Sequence, residues 1–389
     1  MCLNTLVTKL LRTWLAITST VLTEDVCAQV QPPVYELTVG GTTLYPKISN
    51  HISDVIEALQ HLKGDLEHEE TDDHREPIPI TGTVKLHGTH ADILIYSNDE
   101  IVFQSRNVTR LSALKDNYGF AATMSTKTKA LLQLRDMYKT HWLQINPGDF
   151  FDENFPVIVA GEWIGEKIEK GVAISQLSRR FVVISVNING KWQRDQDYGS
   201  ISLPLHDIYN VARAGFYTAT LYPNDTQRTL LEVESMAEEV ACTCPFAETF
   251  GIKGKGEGIV WKPTSAEYNP NPTLWFKTKG GAFKPKLAQP PKKTWTFDIA
   301  GERRDATAYV ARVWCSVQRL EQGWDFLRET DRERNMSTLD DYVKWVHEDI
   351  LTEEKVYIRK HKLERNDLKV EIAKIAKPWY LAKVKGSSV

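Results

Sequence analysis

The sequence has few cysteines and no long apolar run. Only five of its 389 residues are cysteine, an odd number, and only Cys242 and Cys244 lie close together in the chain. That count fits a reduced compartment and argues against a disulfide framework or a structural zinc site. No apolar stretch is long enough to cross a bilayer, so we expect no membrane partner.

Neither sign of charge dominates the sequence. Its 48 basic and 51 acidic residues leave a net charge of -3, and 42% of the chain is hydrophobic, as in an ordinary globular protein of two or three domains. Basic residues concentrate near the end of the chain. This basic stripe consists of Lys355, Arg359, Lys360, Lys362, Arg365, Lys369, Lys374, Lys377, Lys383 and Lys385. A stripe of this kind fits an RNA phosphate contact or, more commonly, a solvated helix face.

Acidic residues are missing from the first part of the chain. None precedes Glu24, and the segment carries Lys9, Arg12 and several serines and threonines. This composition fits a transit peptide, a secretory signal or an extension with no targeting role. Lys9 and Arg12 interrupt the apolar run that a secretory signal needs. We therefore predict a separate N-terminal segment over residues 1–34.

The feature that most strongly indicates a function is residues 83–89, TVKLHGT. Apolar and polar residues alternate around Lys85, which predicts the end of a strand, and Gly88 permits a close turn of the backbone around a ligand. A nucleophilic lysine must be neutral, and at pH 7 only about one free lysine in a thousand is. Neighbouring cations and burial lower the pKa of such a lysine. Taken alone, the pattern is more typical of a surface lysine beside a turn.

Further blocks downstream change that interpretation. They are residues 105–107 (SRN), 160–163 (AGEW), 180–186 (RFVVISV), 257–262 (EGIVWK) and 275–279 (WFKTK). In order and spacing these blocks resemble the nucleotidyltransferase motifs of covalent ligases and capping enzymes. The closest likeness is to the RNA ligases of the bacteriophage double-strand-sealing and kinetoplastid editing types. His87 favours that branch, because DNA ligases and capping enzymes have aspartate there.

The resemblance, which runs from about residue 45 to about residue 286, implies roles for these residues. Lys85 would be the nucleophile, and Glu162 would contact the nucleotide ribose. Arg106 suits a ribose or phosphate contact, because a guanidinium offers paired donors. Glu257 would be the metal-side carboxylate, since magnesium prefers oxygen ligands. A structural alternative for Glu257 is a glutamate that caps a strand.

The last blocks hold the remaining candidates. Lys277 and Lys279 alternate with Phe276 and Thr278, which places both lysines on one face of a strand. They would hold the alpha-phosphate, and the alternative is a solvated edge strand. Phe181 fits an adenine contact or the core equally well. His87 would act in steps that involve pyrophosphate or the RNA end, because histidine titrates near neutrality.

One position departs from the family pattern. Val84 precedes the nucleophile where relatives usually have glutamate. The contact that such a glutamate makes with nucleotide or nucleic acid is therefore in question, whereas the lysine chemistry is unaffected.

The sequence predicts an α+β protein with the nucleotidyltransferase (adenylyltransferase) fold, in which antiparallel sheets enclose the nucleotide. Ile52, Val55, Ile56 and Leu59 predict an amphipathic helix before the first motif, followed by an acidic segment from Asp65 to Glu76. Helical periodicity after a Pro-rich linker predicts a helical C-terminal domain, with one helix starting near Ser337. We expect the catalytic domain over residues 35–286 and the helical domain over 287–389. Double-strand-sealing ligases carry a helical domain there, whereas capping enzymes and DNA ligases carry a barrel.

These features predict an ATP-dependent RNA ligase. It would use ATP and Mg²⁺ or Mn²⁺, form AMP covalently bound to Lys85, and join RNA ends with a 5′-phosphate and a 3′-hydroxyl, as at a nick. The alternatives are an RNA-capping guanylyltransferase, a DNA ligase and an inactive nucleotide- or RNA-binding scaffold. ATP-dependent chemistry favours an intracellular location. The N-terminal segment fits a mitochondrial location, and without a targeting role for that segment we expect a cytoplasmic or nuclear one.

Overall fold

The computed structural model of the protein describes residues 45–64, 76–114, 116, 118–284 and 299–386. The strands are β1 (Ile78–Lys85), β2 (Thr89–Ile95), β3 (Ile101–Ser105), β4 (Val157–Ile164), β5 (Arg180–Ile188), β6 (Lys191–Trp192), β7 (Ile208–Asn210), β8 (Tyr217–Leu221), β9 (Gly258–Pro263) and β10 (Phe276–Lys279). The helices are α1 (Ile52–Gly64), α2 (Phe120–Ser125), α3 (Thr128–Ile145), α4 (Asp195–Tyr198), α5 (Thr226–Cys242), α6 (Pro245–Glu248), α7 (Ile299–Trp314), α8 (Val317–Glu329), α9 (Leu339–Glu353), α10 (Lys355–Lys360) and α11 (Arg365–Val384).

The strands form two sheets. The first sheet has the order β10-β9-β1-β8, and its pairings are antiparallel. The second sheet has the order β3-β2-β4-β5-β6, with β7 added parallel to β5. With α7 to α11 at its C-terminal end, the described chain has the predicted α+β class with antiparallel sheets and a helical C-terminal region.

The pairing register of the first sheet brings the ends of three strands together. Lys85 at the end of β1 pairs with Gly258, and Gly258 also pairs with Lys279 at the end of β10. A Cβ atom at residue 258 would overlap the carbonyl of Thr278, so only glycine permits this close approach. The register therefore places Lys85 and Lys279 on either side of Gly258, the residue that follows Glu257.

Apolar residues pack against the first sheet. The amphipathic stretch predicted near residue 52 forms α1, and Ile52, Val55 and Leu59 are buried in the same cluster as Val84 and Trp261. Helix α5 packs on β9 and β10, two strands of the first sheet. A separate cluster joins the second sheet to α2 and α3. These cores hold the end of β1 fixed.

A buried ion pair connects the two sheets. Lys262 on β9 lies 2.7 Å from Asp195 at the start of α4, and it donates to the hydroxyl of Ser185 on β5 at 3.1 Å. Its ammonium also lies 4.1 Å from the centre of the Trp275 ring. Because the side chain of Lys262 is only 3% exposed, its charge depends on these partners.

Residues 299–386, here called the helical region, have their own core. Helix α11 packs against α7 and α9, and the aromatic rings of Tyr342, Trp379 and Tyr380 stack at its centre. The helix expected to start near Ser337 begins at Leu339, after a short 3-10 turn. The predicted N-terminal segment 1–34, residues 65–75 of the acidic segment and the Pro-rich linker lie outside the described residues. The domain limits therefore stay predictions.

Among the described residues, no helix has the length and apolar character to cross a bilayer.

Replacing Lys262 by methionine should destabilise the protein by about 3–5 kcal/mol, because it leaves the Asp195 carboxylate buried without a cation. Urea denaturation measures this free energy of unfolding. The control is Lys139→Met, which breaks an exposed ion pair with Glu153 and should change stability by about 1 kcal/mol or less. Equal losses in the two variants would contradict the role given to the buried pair.

Candidate active site

A cavity of about 770 Å³ opens between the ends of β1, β9 and β10 and the helical region. Seven of the eight residues predicted for the site line it: Lys85, His87, Arg106, Glu162, Glu257, Lys277 and Lys279. The eighth, Phe181, does not. The sheet register and the turn after β1 thus bring together side chains that are up to 194 residues apart in sequence, counting from Lys85 to Lys279.

The carboxylate of Glu257 is the centre of the site. Its Oε2 atom accepts from Lys85 Nζ at 2.7 Å and lies 3.2 Å from His87 Nδ1, and its Oε1 atom lies 2.9 Å from Lys279 Nζ. The side chain is only 2% exposed. Burial alone would raise the pKa of Glu257. The positive charges of Lys279, Lys85 and His87 have the opposite and larger effect, so they hold this pKa well below the usual value.

His87 lies between two carboxylates. Its Nδ1 atom faces Glu257, its Nε2 atom lies 3.4 Å from Glu169, and Phe283 packs edge-on against the ring. Burial lowers the pKa of His87, but hydrogen bonds to Glu169 and Glu257 raise it to about 9. In this state His87 carries a positive charge and donates from both nitrogens. Sequence analysis missed Glu169, which lies in a loop between two of the recognised blocks.

Glu162 holds the turn that follows β1. Its Oε1 atom accepts from the Gly88 N–H at 3.0 Å, and burial raises the pKa of its carboxyl group. A Cβ atom at residue 88 would lie 2.5 Å from the Trp163 carbonyl. Glycine is therefore needed for contact with β4, whereas the sequence suggested close approach to a ligand. Arg106, just after β3, also lines the cavity.

The two lysines of β10 have different partners. Both side chains line the cavity, as their alternation predicts, while Phe276 and Thr278 are buried. Lys279 contacts Glu257, but Lys277 lies 3.3 Å from Glu353 of the helical region. Burial lowers the pKa of Lys277 to about 8, although Glu353 opposes the shift. Each ammonium thus has its own carboxylate.

The helical region presents an acidic rim to the cavity, made of Asp325, Glu329, Asp349, Glu353 and Glu354. Asp325 accepts from Tyr118 at 3.1 Å, Glu329 accepts from Asn107 at 2.5 Å, and Asp349 accepts from Lys47 at 2.9 Å. Glu353 lies 3.3 Å from Lys277, and Glu354 lies 3.3 Å from His51. The basic stripe does not line the cavity in the described chain. Most of its side chains are exposed on α10 and α11, so a contact with RNA there stays a prediction.

Phe181 lies in the core of the second sheet. It is fully buried and packs against Phe120 at a centroid distance of 5.6 Å. Ile184, three residues later on β5, lines the cavity instead, as does Val260 on β9. This placement favours the core alternative for Phe181. A contact between Phe181 and a base would need a different side-chain position.

The cavity fits an anionic ligand that brings its own metal ion. Lys85, Lys277, Lys279 and Arg106 supply positive charge along one wall. The described residues contain no group of three side chains able to hold a metal alone. Magnesium in nucleotide sites is commonly held by one or two carboxylates and the substrate phosphates. Glu257 fits as such a carboxylate, because it lies in the cavity among Lys85, His87 and Lys279.

A lysine at the end of a central strand, beside a glutamate and further lysines in one cavity, is the arrangement expected of the nucleotidyltransferase superfamily. The sequence profile of the RNA ligase family matches residues 78–279, about half of the chain. The protein therefore belongs to the RNA ligase family. No curated protein matches the sequence.

Several solved structures are similar to this chain at low identity. A mutant of the Naegleria gruberi RNA ligase with AMP and Mn is 16% identical over 63% of this chain and 59% of its own, with a TM-score of 0.38. The same enzyme with PPi is 17% identical over 67% and 62%, with a TM-score of 0.38. An archaeal ATP-dependent RNA ligase is 13% identical over 88% and 66%, with a TM-score of 0.35. The chain thus spans about three-fifths of the Naegleria enzyme's length.

Replacing Glu257 by glutamine should lower the free energy of unfolding by roughly 3 kcal/mol at neutral pH, because three partly buried cations lose their shared anion. Since the pKa of Glu257 is lowered in the folded state, its stabilising effect is present above the usual value of 4.5 and is lost as the pH falls through the lowered pKa. The deficit of the variant should therefore shrink in acid.

Chemical denaturation from neutral to acidic pH measures both effects. The matched control is Glu169→Gln, whose carboxylate is 28% exposed and contacts His87 alone among the site cations. The Glu169→Gln substitution should lower the free energy of unfolding by about 1 kcal/mol or less. A Glu257→Gln variant as stable as the wild type would show that the cluster does not need this carboxylate.

Proposed function

We propose that the protein is an ATP-dependent RNA ligase that joins a 3′-hydroxyl to a 5′-phosphate through a lysyl-AMP enzyme and an RNA-adenylate. The observation that carries this proposal is the position of Lys85, which lies 2.7 Å from Glu257 at one end of a cavity lined by Lys277 and Lys279. Membership of the RNA ligase family supports it. Mutants of the Naegleria gruberi RNA ligase were solved with AMP or ATP and Mn, the same nucleotide and a metal of the kind proposed here.

In the first step, the Lys85 amine attacks the alpha-phosphorus of ATP. A P–N bond forms, the bond to the beta-phosphate oxygen breaks, and pyrophosphate leaves with its electrons. The amine must be neutral to attack, so Lys85 has to leave its ion pair with Glu257 and lose a proton. Lys277 and Lys279 would stabilise the negative charge that develops on the phosphate oxygens.

In the second step, an oxygen of the RNA 5′-phosphate attacks the same phosphorus, the P–N bond breaks and Lys85 recovers its proton. The product is RNA carrying AMP through a pyrophosphate linkage. In the third step, the 3′-hydroxyl attacks the RNA 5′-phosphorus, loses its proton and displaces AMP. His87, charged and able to donate from both nitrogens, would stabilise charge on a departing phosphate.

Magnesium or manganese, when bound with the nucleotide, would offset the charge of the triphosphate. Glu257 would be the side chain that holds it. Glu162 and Arg106 would bind the ribose and a phosphate oxygen, since both line the cavity beside the Gly88 turn. Ile184 and Val260 supply apolar surface in the same cavity.

The RNA partner would carry a 5′-phosphate and a 3′-hydroxyl brought together, as at a nick. An intracellular location follows from the use of ATP, and the N-terminal segment fits a mitochondrial address. Both statements rest on the sequence.

An RNA-capping guanylyltransferase would share the lysine chemistry. His87 and the helices over residues 299–384 favour the ligase, because capping enzymes have aspartate at that position and a barrel after the catalytic domain. An inactive scaffold is disfavoured because Lys85, Glu162, Glu257, Lys277 and Lys279 line one cavity.

Incubation with magnesium and alpha-labelled ATP, followed by denaturing electrophoresis, should give a covalently labelled protein. Lys85→Ala should remove the label entirely, because Lys85 is the amine that we propose as the nucleophile, whereas Lys139→Ala should keep it. Label from GTP instead would indicate capping. A wild-type protein that takes no label, and whose intact mass shows no bound AMP beforehand, would exclude the proposal.

His87→Ala should slow the sealing of a nicked, 5′-phosphorylated RNA by about a hundredfold, the usual contribution of a positioned acid or donor. Sealing is measured by gel electrophoresis of the joined strand. His206→Ala, an exposed histidine outside the cavity, serves as the control. Unchanged sealing by the His87 variant would remove this residue from the mechanism.

A further inference from the structure

Glu353 accepts from donors in three separate parts of the chain. Its Oε2 atom lies 3.3 Å from Asn50 Nδ2 and 2.7 Å from Arg319 Nη2, and its Oε1 atom lies 3.3 Å from Lys277 Nζ. Asn50 precedes α1, Lys277 is on β10 and Arg319 is on α8. The Glu353 side chain is 17% exposed. A single carboxylate from α9 therefore fills a pocket built by an amide, an ammonium and a guanidinium.

Two of these donors are held in place without Glu353. The Nε atom of Arg319 lies 2.9 Å from Asp349, which fixes the guanidinium independently. Lys277 belongs to a strand paired with β9 along its whole length. The described residues offer Lys277 no ion pair other than Glu353. If Glu353 moved away, an ammonium and a guanidinium would face the same space on the cavity wall.

Such a space suits a phosphoryl group. Carboxylate and phosphate oxygens accept from the same donors, and a guanidinium binds either with paired hydrogen bonds. Asn50, Lys277, Arg319 and Glu353 all line the cavity that contains Lys85. A phosphoryl group there would repel the Glu353 carboxylate, so the two anions compete for one position.

We propose that Asn50, Lys277 and Arg319 form a phosphoryl-binding site that Glu353 occupies as an internal anion until a phosphoryl group displaces it. This inference rests on the proposed function, because it takes Lys277 as a phosphate contact, and it adds Arg319 and Asn50 from outside the recognised motifs. The phosphoryl group comes from the nucleotide or from the 5′ end of the RNA, which present the same chemistry.

Displacement of Glu353 also weakens the attachment of the helical region. Glu353 is one member of the acidic rim, so a ligand that removes it from Lys277 removes one contact between α9 and β10. Linkage makes the effect reciprocal: whatever loosens this contact strengthens phosphoryl binding by the same factor. Nucleotide or RNA binding and docking of the helical region are therefore coupled through one carboxylate.

The test variant is Glu353→Gln, which keeps the size of the side chain and removes its charge. The apparent dissociation constant for inorganic tripolyphosphate, measured by calorimetry, should fall about fivefold or more, as is typical of coupled sites. The matched control is Asp349→Asn on the same helix. Asp349 contacts Lys47 and Arg319 but not Lys277, so this variant should bind tripolyphosphate no more tightly than the wild type.

Two further measurements identify the source of the phosphoryl group. If it belongs to the nucleotide, Glu353→Gln lowers the KM for ATP in the labelling reaction. If it belongs to the RNA, Glu353→Gln prefers 5′-phosphorylated over 5′-hydroxyl RNA more strongly than the wild type does. This preference is measured as the ratio of the two dissociation constants. Equal tightening in Glu353→Gln and Asp349→Asn, or weaker binding by Glu353→Gln, would overturn the proposal.

A measurement on the wild type covers the case in which the variant does not fold. Tripolyphosphate should speed hydrogen exchange of the amides near the end of α9, because it displaces Glu353. Unchanged or slower exchange at saturating ligand would overturn the proposal. These binding measurements do not depend on catalysis, so a protein that failed to form a covalent adenylate could still pass or fail them.

Discussion

The carboxylate of Glu257 is the interaction on which the rest of the site depends. Three cationic side chains converge on it, and burial would make their mutual repulsion costly without a shared anion. The register of the first sheet creates this convergence, because Gly258 lets β10 approach β9 closely enough to place Lys279 across from Lys85. Backbone geometry, a glycine and one carboxylate together set the position of Lys85.

The helical region supplies the second part of the same charge balance. Lys277 obtains its anion from Glu353, 76 residues further along the chain, and the acidic rim covers other donors around the cavity. Each lysine of β10 is thus neutralised by a different part of the fold. A polyanion that enters the cavity must replace these internal carboxylates, which connects ligand binding to the docking of the helices.

The sequence predicted the elements that depend on local pattern. The end of β1 at Lys85, the amphipathic α1 and the common face of Lys277 and Lys279 all follow from periodicity, and the structure confirms them. Phe181 could not be placed, because both faces of β5 are buried and alternation carries no information there. Glu169 and Glu353 gave no signal either, since their roles depend on the tertiary positions of a loop and of a distant helix.

The measurement that tests the account most directly is peptide mapping by mass spectrometry after incubation with ATP and magnesium. We expect one AMP attached to the peptide that contains Lys85. Added pyrophosphate should release this AMP, because the P–N bond forms reversibly. AMP attached to Lys277, Lys279 or another residue would contradict the assignment of Lys85 as the nucleophile and of Glu257 as the group that positions it.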